Sequence, residues 1–311
     1  MKKKQKTSQP LVVLIVLNWN GIEYTKNCIK SLLKVNYYNK KIILLDNGSD
    51  NNEYEKLKVM FPQIDVIYSK TNRGFAGGNN LALKYAEKYE PKYSYLLNND
   101  FTFDKNFLIK LVEVMEKDET IGTLGAKMNY MDYPDTIWSI GGKINPITGK
   151  SKLLLNKKKD IYTNTKKIVD VDYSNGLVRH SVYKKIGYLD EKYFIYNEET
   201  EFCLKLKKLG YKVQCRLDST SYHKVSLTDY KISGFSVYYI TRNRFYFMKK
   251  NFPFINRLAF YITFFLFYMP VYTILYPINA KKLGVLKIFY RGILDGIYGK
   301  MGKTTIFEKK R

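Results

Sequence analysis

The sequence predicts an α/β protein with a mostly parallel central sheet flanked by helices, on three observations. Apolar runs of strand length alternate with amphipathic stretches of helix length over the first hundred residues. Each apolar run ends in amides, carboxylates or glycines, as expected where parallel strands deliver their exits to one sheet edge. The run Leu96-Leu97-Asn98-Asn99-Asp100 brings three oxygen-bearing side chains to such an exit. That edge suits a metal and a diphosphate, although Asn-Asn-Asp alone is also an ordinary turn after a strand.

Taken in order, Leu11 to Leu17 is a continuous leucine and β-branched run, the pattern of a strand covered on both faces. Ile22, Ile29, Leu32 and Leu33 then recur at helical spacing. Ile42 to Leu45 is the second strand and exits into Asp46-Asn47-Gly48-Ser49-Asp50. Val66 to Tyr68 is the third, followed by a polar, glycine-rich turn from Thr71 to Asn80. Glycines 74, 77 and 78 there either let backbone approach a ligand or make the turn and pack a helix on the sheet. Ala82, Tyr85, Ala86 and Tyr89 continue as a helix, and Tyr95 to Leu97 is the fourth strand. An Asp46 carboxylate at this edge can accept from a base or a ribose.

In the second half, Phe107, Leu108, Leu111, Val112 and Met115 mark a helix. Between Gly125 and Asp172 periodicity dissolves into Gly141-Gly142, Asn145-Pro146 and Lys157-Lys158-Lys159, which reads as an irregular hairpin or flap over the site. Tyr173-Ser174-Asn175-Gly176 and Gly187-Tyr188-Leu189-Asp190 lead to the acidic stretch Glu198-Glu199-Thr200-Glu201. On an ideal helix Glu199 shares a face with Phe202, Cys203 and Leu206, while Glu198 and Glu201 point elsewhere. At a helix N-terminus the dipole keeps such a carboxylate ionised, and acidic residues there are also simply good helix starters.

Lys and Arg total 53 against 28 Asp and Glu, giving a net charge of +25 and favouring an anionic partner or membrane surface. The basic residues are spread rather than gathered on a nucleic-acid motif, so no nucleic-acid partner is expected. Cys28, Cys203 and Cys215 lack the spacing of a zinc site or a disulfide framework, which fits a reducing cytoplasm. Lys2, Lys3, Lys4 and Lys6 before Leu11 imitate a secretory signal, but the apolar run is short and lacks a cleavage site. No charged residue occurs from Leu258 to Ala280, longer than the roughly 20 residues that span a hydrocarbon core. Pro270 and Pro277 interrupt it and cations flank both ends, favouring a re-entrant or interfacial helix pair over a single span. Leu286, Phe289, Ile293 and Ile297 form another apolar stripe, membrane-lying or packed on the rest of the chain.

Asn18-Trp19-Asn20-Gly21, Asp46-Asn47-Gly48-Ser49, Asn72-Arg73-Gly74-Phe75-Ala76-Gly77-Gly78-Asn79-Asn80 and Leu96-Leu97-Asn98-Asn99-Asp100 resemble the successive motifs of family 2 glycosyltransferases, in the rhamnosyltransferase-like branch. The resemblance covers residues 11 to about 250. It implies a GT-A fold, a nucleotide-sugar donor, inversion at the anomeric carbon and a divalent cation, Mg²⁺ or Mn²⁺. It places Asn18, Asp46, Asn72, Gly74, Asn98 and Asn99 around the nucleotide sugar, with Asp46 on the base, and Asp100 on the metal. Asn98 departs from the family's first Asp and brings no charge to the cation. The acidic stretch is similar to the family's acceptor-site motif with every Asp replaced by Glu, which implies Glu199 as the base and Glu198 and Glu201 beside the acceptor. His223 follows a strand-like Tyr211 to Cys215; in some relatives a histidine there completes the metal site, and a lone histidine is otherwise a packed residue. Tyr238-Tyr239-x-x-Arg242-Asn243-Arg244 is similar to the segment closing the catalytic domain, where either arginine steadies phosphates or lies at the surface.

The expected organisation is a basic tail over 1–10, a glycosyltransferase domain over 11–250 with nucleotide-sugar half 11–100 and acceptor half 101–250, and a membrane-associating region over 251–311. The expected activity moves a sugar, on resemblance rhamnose, from dTDP-rhamnose or a UDP-sugar to a lipid-linked or polysaccharide acceptor in cell-surface glycan synthesis. The expected place is the cytoplasmic face of the membrane, peripheral, monotopic or single-span. Two alternatives stand beside it: a sugar nucleotidyltransferase, which expects a glycine-rich turn after the first strand, and a non-catalytic nucleotide or glycan binder at the membrane.

Overall fold

The computed structural model of the chain describes residues 9–161, 166–173, 176–227 and 233–307. The basic tail through Ser8, and Ser174 and Asn175 of the motif before Gly176, lie outside the described residues.

The first half is built as its pattern requires. Strands β1 (Val12–Asn18), β2 (Lys40–Asp46), β3 (Asp65–Tyr68) and β4 (Tyr93–Asn98) alternate with helices α1 (Ile22–Leu33), α2 (Glu53–Met60) and α3 (Gly74–Ala86). They pair in parallel in the order β4-β1-β2-β3. The continuous apolar run of β1 follows from its position at the sheet centre. Val12, Leu14 and Val16 pack into one core layer with Cys28, Ile29 and Leu32 of α1, while Val13 and Ile15 pack into the other with Ala76, Ala82 and Leu83 of α3. A strand buried on both faces cannot alternate polar and apolar residues. Register aligns Asn18 with Asp46 and Leu17 with Asn98, so the polar exits share one edge.

The stretch read as a glycine-rich turn is mostly helix, because α3 begins at Gly74. Gly74 has φ +73°, and a Cβ there would meet the Phe194 carbonyl oxygen at 2.2 Å. A Cβ at Gly78 would lie 2.6 Å from Leu17 Cδ1. These glycines let a helix seat against β1 and the loop before the acidic stretch, both of which approach them closely.

The second half mixes strand directions. It adds β5 (Phe101–Phe103), α4 (Phe107–Lys117), β6 (Ile121–Tyr130), β7 (Tyr133–Ser139), the hairpin β8 (Gly142–Ile144) and β9 (Ser151–Leu153), β10 (Lys158–Lys159) and β11 (Lys166–Ile168). Then come β12 (Leu177–Arg179), α5 (His180–Ile186), α6 (Glu198–Lys208) and β13 (Lys212–His223). Among the described residues eleven strands form one sheet, β10-β7-β6-β12-β4-β1-β2-β3, with β13 attached to β6, β5 and β11. β12 runs antiparallel to both β4 and β6, so the sheet is parallel from β4 to β3 and mixed beyond it. The expected irregular flap is largely strands, with the β8–β9 hairpin as its protruding part.

Helix α7 (Gly234–Asn251) leads into α8 (Phe254–Thr263), a π-helical turn Phe264–Tyr268 and α9 (Met269–Ala280). These last three form one helical rod of 27 residues, about 40 Å long. The prolines were expected to break it into a pair; they do not. The π turn precedes Pro270, where a widened turn relieves the clash of the ring with the carbonyl four residues back. Leu266, Phe267, Ile274 and Ile278 are each more than 60% exposed on the rod. Helix α10 (Val285–Tyr298) turns back, and Phe289 and Ile293 are buried in a core with Phe245 of α7 and Phe260 and Phe264 of the rod. Half of the stripe expected at a membrane is therefore internal, packed against α7 and the rod.

Candidate active site

A cleft of about 760 Å³ opens between the end of β4, the start of α6, the end of β13, the β8–β9 hairpin and α7. Asn98, Asp100, Glu198, Glu199 and His223 all line it, with Trp138, Lys150, Tyr173 and Arg244. Residues 125 positions apart in the chain thus face one space, brought there by parallel strands that exit at a common edge.

At its floor, Asp100 Oδ2 lies 3.1 Å from His223 Nε2. His223 ends β13 in register with Phe101, and its ring stacks on the Phe101 ring at 4.2 Å and meets Trp138 edge-on at 4.5 Å. The backbone holds this corner too, since the Lys224 amide donates to the Asp100 carbonyl at 2.9 Å. Asp100 Oδ1, Asn98 Oδ1 and His223 Nδ1 are buried and have no hydrogen-bond partner. Among the described residues no three His, Cys, Asp or Glu side chains form a complete metal cage. The donor set of a carboxylate, an imidazole and an amide oxygen would suit a hard or borderline divalent cation.

Opposite stands the N-terminus of α6. Phe194, Tyr196 and Asn197 before it have φ +69°, +69° and +76°, positive values that non-glycine residues resist. Two neighbours hold it. Asn243 Nδ2 donates to the carbonyls of Tyr193, Ile195 and Tyr196 at 3.2, 2.7 and 2.8 Å, and Arg242 donates to Tyr193 at 2.9 Å and, from Nη1, to Gly302 at 2.6 Å. The Phe75 and Ala76 amides of α3 both donate to the Phe194 carbonyl. Arg242 is only 1% exposed, so it is neither a surface residue nor a phosphate ligand but the buckle of this loop.

Glu198 and Glu199 are hydrogen-bonded to each other at the cleft wall. Burial, and then the Glu199 charge, push the Glu198 carboxyl well above the usual range. Burial raises Glu199 as well, opposed by the Glu199 and Thr200 amides and by the hydrogen bond from Glu198. Two carboxyl groups this close and this buried resist being charged together, so the pair holds a proton more tightly than a free carboxylate does. The helix dipole alone was expected to keep Glu199 ionised; here desolvation outweighs it. Glu198 does not point elsewhere as an ideal helical face implies, because the cleft lies off the end of α6, where consecutive residues both reach it. Glu201 does leave the cleft: it is 1% exposed and pairs with Lys250 at 2.6 Å and Lys205 at 3.6 Å.

The other residues assigned to the nucleotide sugar mostly serve the rim itself. Asn18 is fully buried; its Nδ2 donates to Asp46 Oδ1 at 2.8 Å, Ser49 Oγ at 3.2 Å and Glu53 Oε2 at 2.9 Å, and its Oδ1 accepts from Thr25. Asp46 is 1% exposed and also accepts from the Ser49 amide, so its carboxylate is engaged inside the chain and not on this cleft. Asn99 turns to Thr25 Oγ1 at 2.9 Å, and Asn72 Oδ1 accepts from the Gly74 amide at 2.8 Å. Buried polar groups at a strand exit must find partners, and here they find one another. Glu53, Trp138, Lys150, Tyr173 and Asn243 escaped sequence reasoning. Glu53 looks like an ordinary helix starter, and only the Arg242-Asn243-Arg244 run carried a signal pointing at Asn243.

The family model described as Glycosyl transferase family 2 matches residues 13–187. The low-salt glycan biosynthesis hexosyltransferase Agl10 of Haloferax volcanii is 25% identical over 78% of this chain and 77% of its own length. The dTDP-rhamnosyl transferase RfbF of Shigella flexneri is 24% identical over 89% of this chain and 93% of its own. A crystal structure of GalNAc-T7 with UDP, GalNAc and Mn²⁺ superposes with a TM-score of 0.60 at 13% identity, covering 86% of this chain and 58% of that one.

Proposed function

The chain belongs to glycosyl transferase family 2, and from that premise we propose that it is an inverting, cation-dependent glycosyltransferase making a surface glycan at the membrane. Its GT-A fold and its similarity to hexosyl- and rhamnosyltransferases make it a sugar transferase. The finer reading takes dTDP-rhamnose first, and a UDP-sugar second, as donor, and a lipid-linked or polysaccharide hydroxyl as acceptor. The observation that carries it is the single cleft with Asp100 and His223 at the floor and the Glu198–Glu199 pair on the wall.

In this reading Asp100 and His223, with the Asn98 amide oxygen, hold Mg²⁺ or Mn²⁺. When bound, the cation acts as a Lewis acid on the departing diphosphate, stabilisation of several kcal/mol. Glu199 takes the proton from the acceptor hydroxyl as its oxygen attacks the anomeric carbon. The bond from that carbon to the nucleoside diphosphate breaks in the same displacement, so configuration inverts and no enzyme nucleophile is needed. Glu198, beside it, orients Glu199 and shares the pair's proton. The exposed apolar rod seats the chain on the cytoplasmic face of the bilayer, by spanning it or lying in it.

A donor panel read by nucleotide release, with Mn²⁺, with Mg²⁺ and with chelator, tests this. Turnover of one nucleotide sugar, lost with chelator, is the expected result. Glu199→Gln is expected to lower kcat by about 10²- to 10⁴-fold with donor affinity kept. A fully active Gln variant removes Glu199 from the chemistry.

A further inference from the structure

A second cavity, of about 900 Å³, lies apart from the catalytic cleft and shares no lining residue with it. It is a product of how the last helices meet. Glycines let α10 run close beside α7 in the same direction: a Cβ at Gly234 would lie 2.7 Å from Ile288 Cδ1, one at Gly292 3.0 Å from the Tyr238 carbonyl oxygen, and one at Gly296 2.9 Å from that of Arg242. The rod runs the opposite way and returns to the start of α7, where its last residue, Ala280, shares the cavity wall with Gly234 and Phe235. Ile288, Leu294, Ile306 and Phe307 complete the apolar walls. Leu294 and Ile306 are 50% and 41% exposed, so the hollow opens outward. Lys282, Lys287 and Arg291 also line it, and no carboxylate does. Both lysines are exposed, and among the described residues neither pairs with a carboxylate. Arg291 donates its Nε to Asp295 at 2.9 Å and still has two Nη groups to offer.

We propose that this cavity holds one anionic phospholipid of the bilayer, with an acyl chain along the apolar walls and the phosphate at Lys282, Lys287 and Arg291. Apolar walls with a cationic rim match an amphiphile whose head is anionic, and the volume is of the order that encloses a small molecule, about 300–1,000 Å³. Position names the source. The uncharged run ends at Ala280 and charge begins at Lys281 and Lys282, as at the depth where hydrocarbon gives way to headgroups. A sugar-carrying lipid has to bring its head to Asp100 and Glu199, which line the other cavity. The proposal rests on the rod's seating in the bilayer, part of the reading above, and not on the transferase chemistry.

The test uses the full chain in detergent, with dioctanoyl phosphatidylglycerol and dioctanoyl phosphatidylcholine as probes in calorimetry. Lys282→Gln/Lys287→Gln removes two exposed cations and leaves the apolar walls intact. Lys56→Gln/Lys58→Gln, on α2, removes the same charge from a surface that lines neither cavity. One phosphatidylglycerol per chain is expected, with a Kd at least about tenfold weaker in the cavity variant and unchanged in the α2 variant. Phosphatidylcholine is expected to bind the unaltered protein at least about tenfold more weakly than phosphatidylglycerol. Leu294→Glu, which sets a carboxylate at the opening, should weaken phosphatidylglycerol by at least as much as the lysine pair. Equal affinity of the unaltered protein and the cavity variant, equal weakening by both lysine pairs, or equal binding of the two lipids overturns the proposal. So does tighter binding of farnesyl phosphate, which gives the cavity to a lipid-linked substrate. Flotation of the unaltered chain with phosphatidylcholine vesicles reports the rod separately. Flotation kept without phosphatidylglycerol selectivity sinks the cavity site alone; selectivity kept without flotation leaves the site standing and removes the rod's seating.

Discussion

Glu199 owes its proton affinity to two opposed effects, and they can be separated by substitution. Its raised pKa means the base is available only above that value, so kcat/KM is expected to fall as pH drops through it. The hydrogen bond from Glu198 lowers the Glu199 pKa, so removing it in Glu198→Ala moves the acid limb to higher pH. Glu198→Gln still donates a hydrogen bond and leaves the limb in place. A pH–rate profile of the three proteins checks this, and an unmoved limb in Glu198→Ala would show that the pair does not set the base. The residue types at this site were readable from the sequence, since the acidic stretch and Asn98-Asn99-Asp100 announce themselves. Their orientations were not. A helical wheel describes the side of a helix, whereas Glu198 and Glu199 act from its end, and Glu201 is drawn off by Lys250, 49 positions along.

At the level of elements, strand order and the common exit edge follow from periodicity, and β1 to β4 stand where their apolar runs stand. The polar residues at those exits were harder to read because a buried amide looks the same in sequence whether it faces substrate or a neighbour. Asn18 and Asp46 are partners of each other, which only register reveals. The join between α3 and the loop before α6 is equally tertiary. Gly74→Ala places a Cβ against the Phe194 carbonyl at a left-handed φ, and is expected to destabilise by about 2 kcal/mol or more, seen as a lower urea midpoint. Asn243→Ala leaves the carbonyls of Ile195 and Tyr196 without their side-chain donor and should produce a comparable loss with a larger drop in kcat. Unchanged midpoints in both would mean the loop is held by something else.

For the whole molecule, the fold joins what the sequence divides. The composition change near residue 250 reads as a boundary, but α10 returns to α7 and Gly302 both accepts from Arg242 and donates its amide to Lys192. A chain ending after Asn251 is therefore expected to lose transferase activity as well as membrane attachment, whereas a separable anchor would leave the soluble part active. Flotation with vesicles, followed by high-salt and carbonate washes, measures the attachment itself. The rod, with Leu266, Phe267, Ile274 and Ile278 exposed, predicts resistance to salt. Release by salt alone would exclude a spanning helix.

The link from Gly302 to Arg242 to the Tyr193 carbonyl also sets an order of events during synthesis. The segment carrying Glu198 and Glu199 leaves the ribosome about a hundred residues before the glycine that fastens its buckle. In between comes the apolar rod. A chain that has not yet reached Gly302 has both glutamates in place but lacks one of the two carbonyls that hold the Arg242 guanidinium, so the loop before α6 is fastened last.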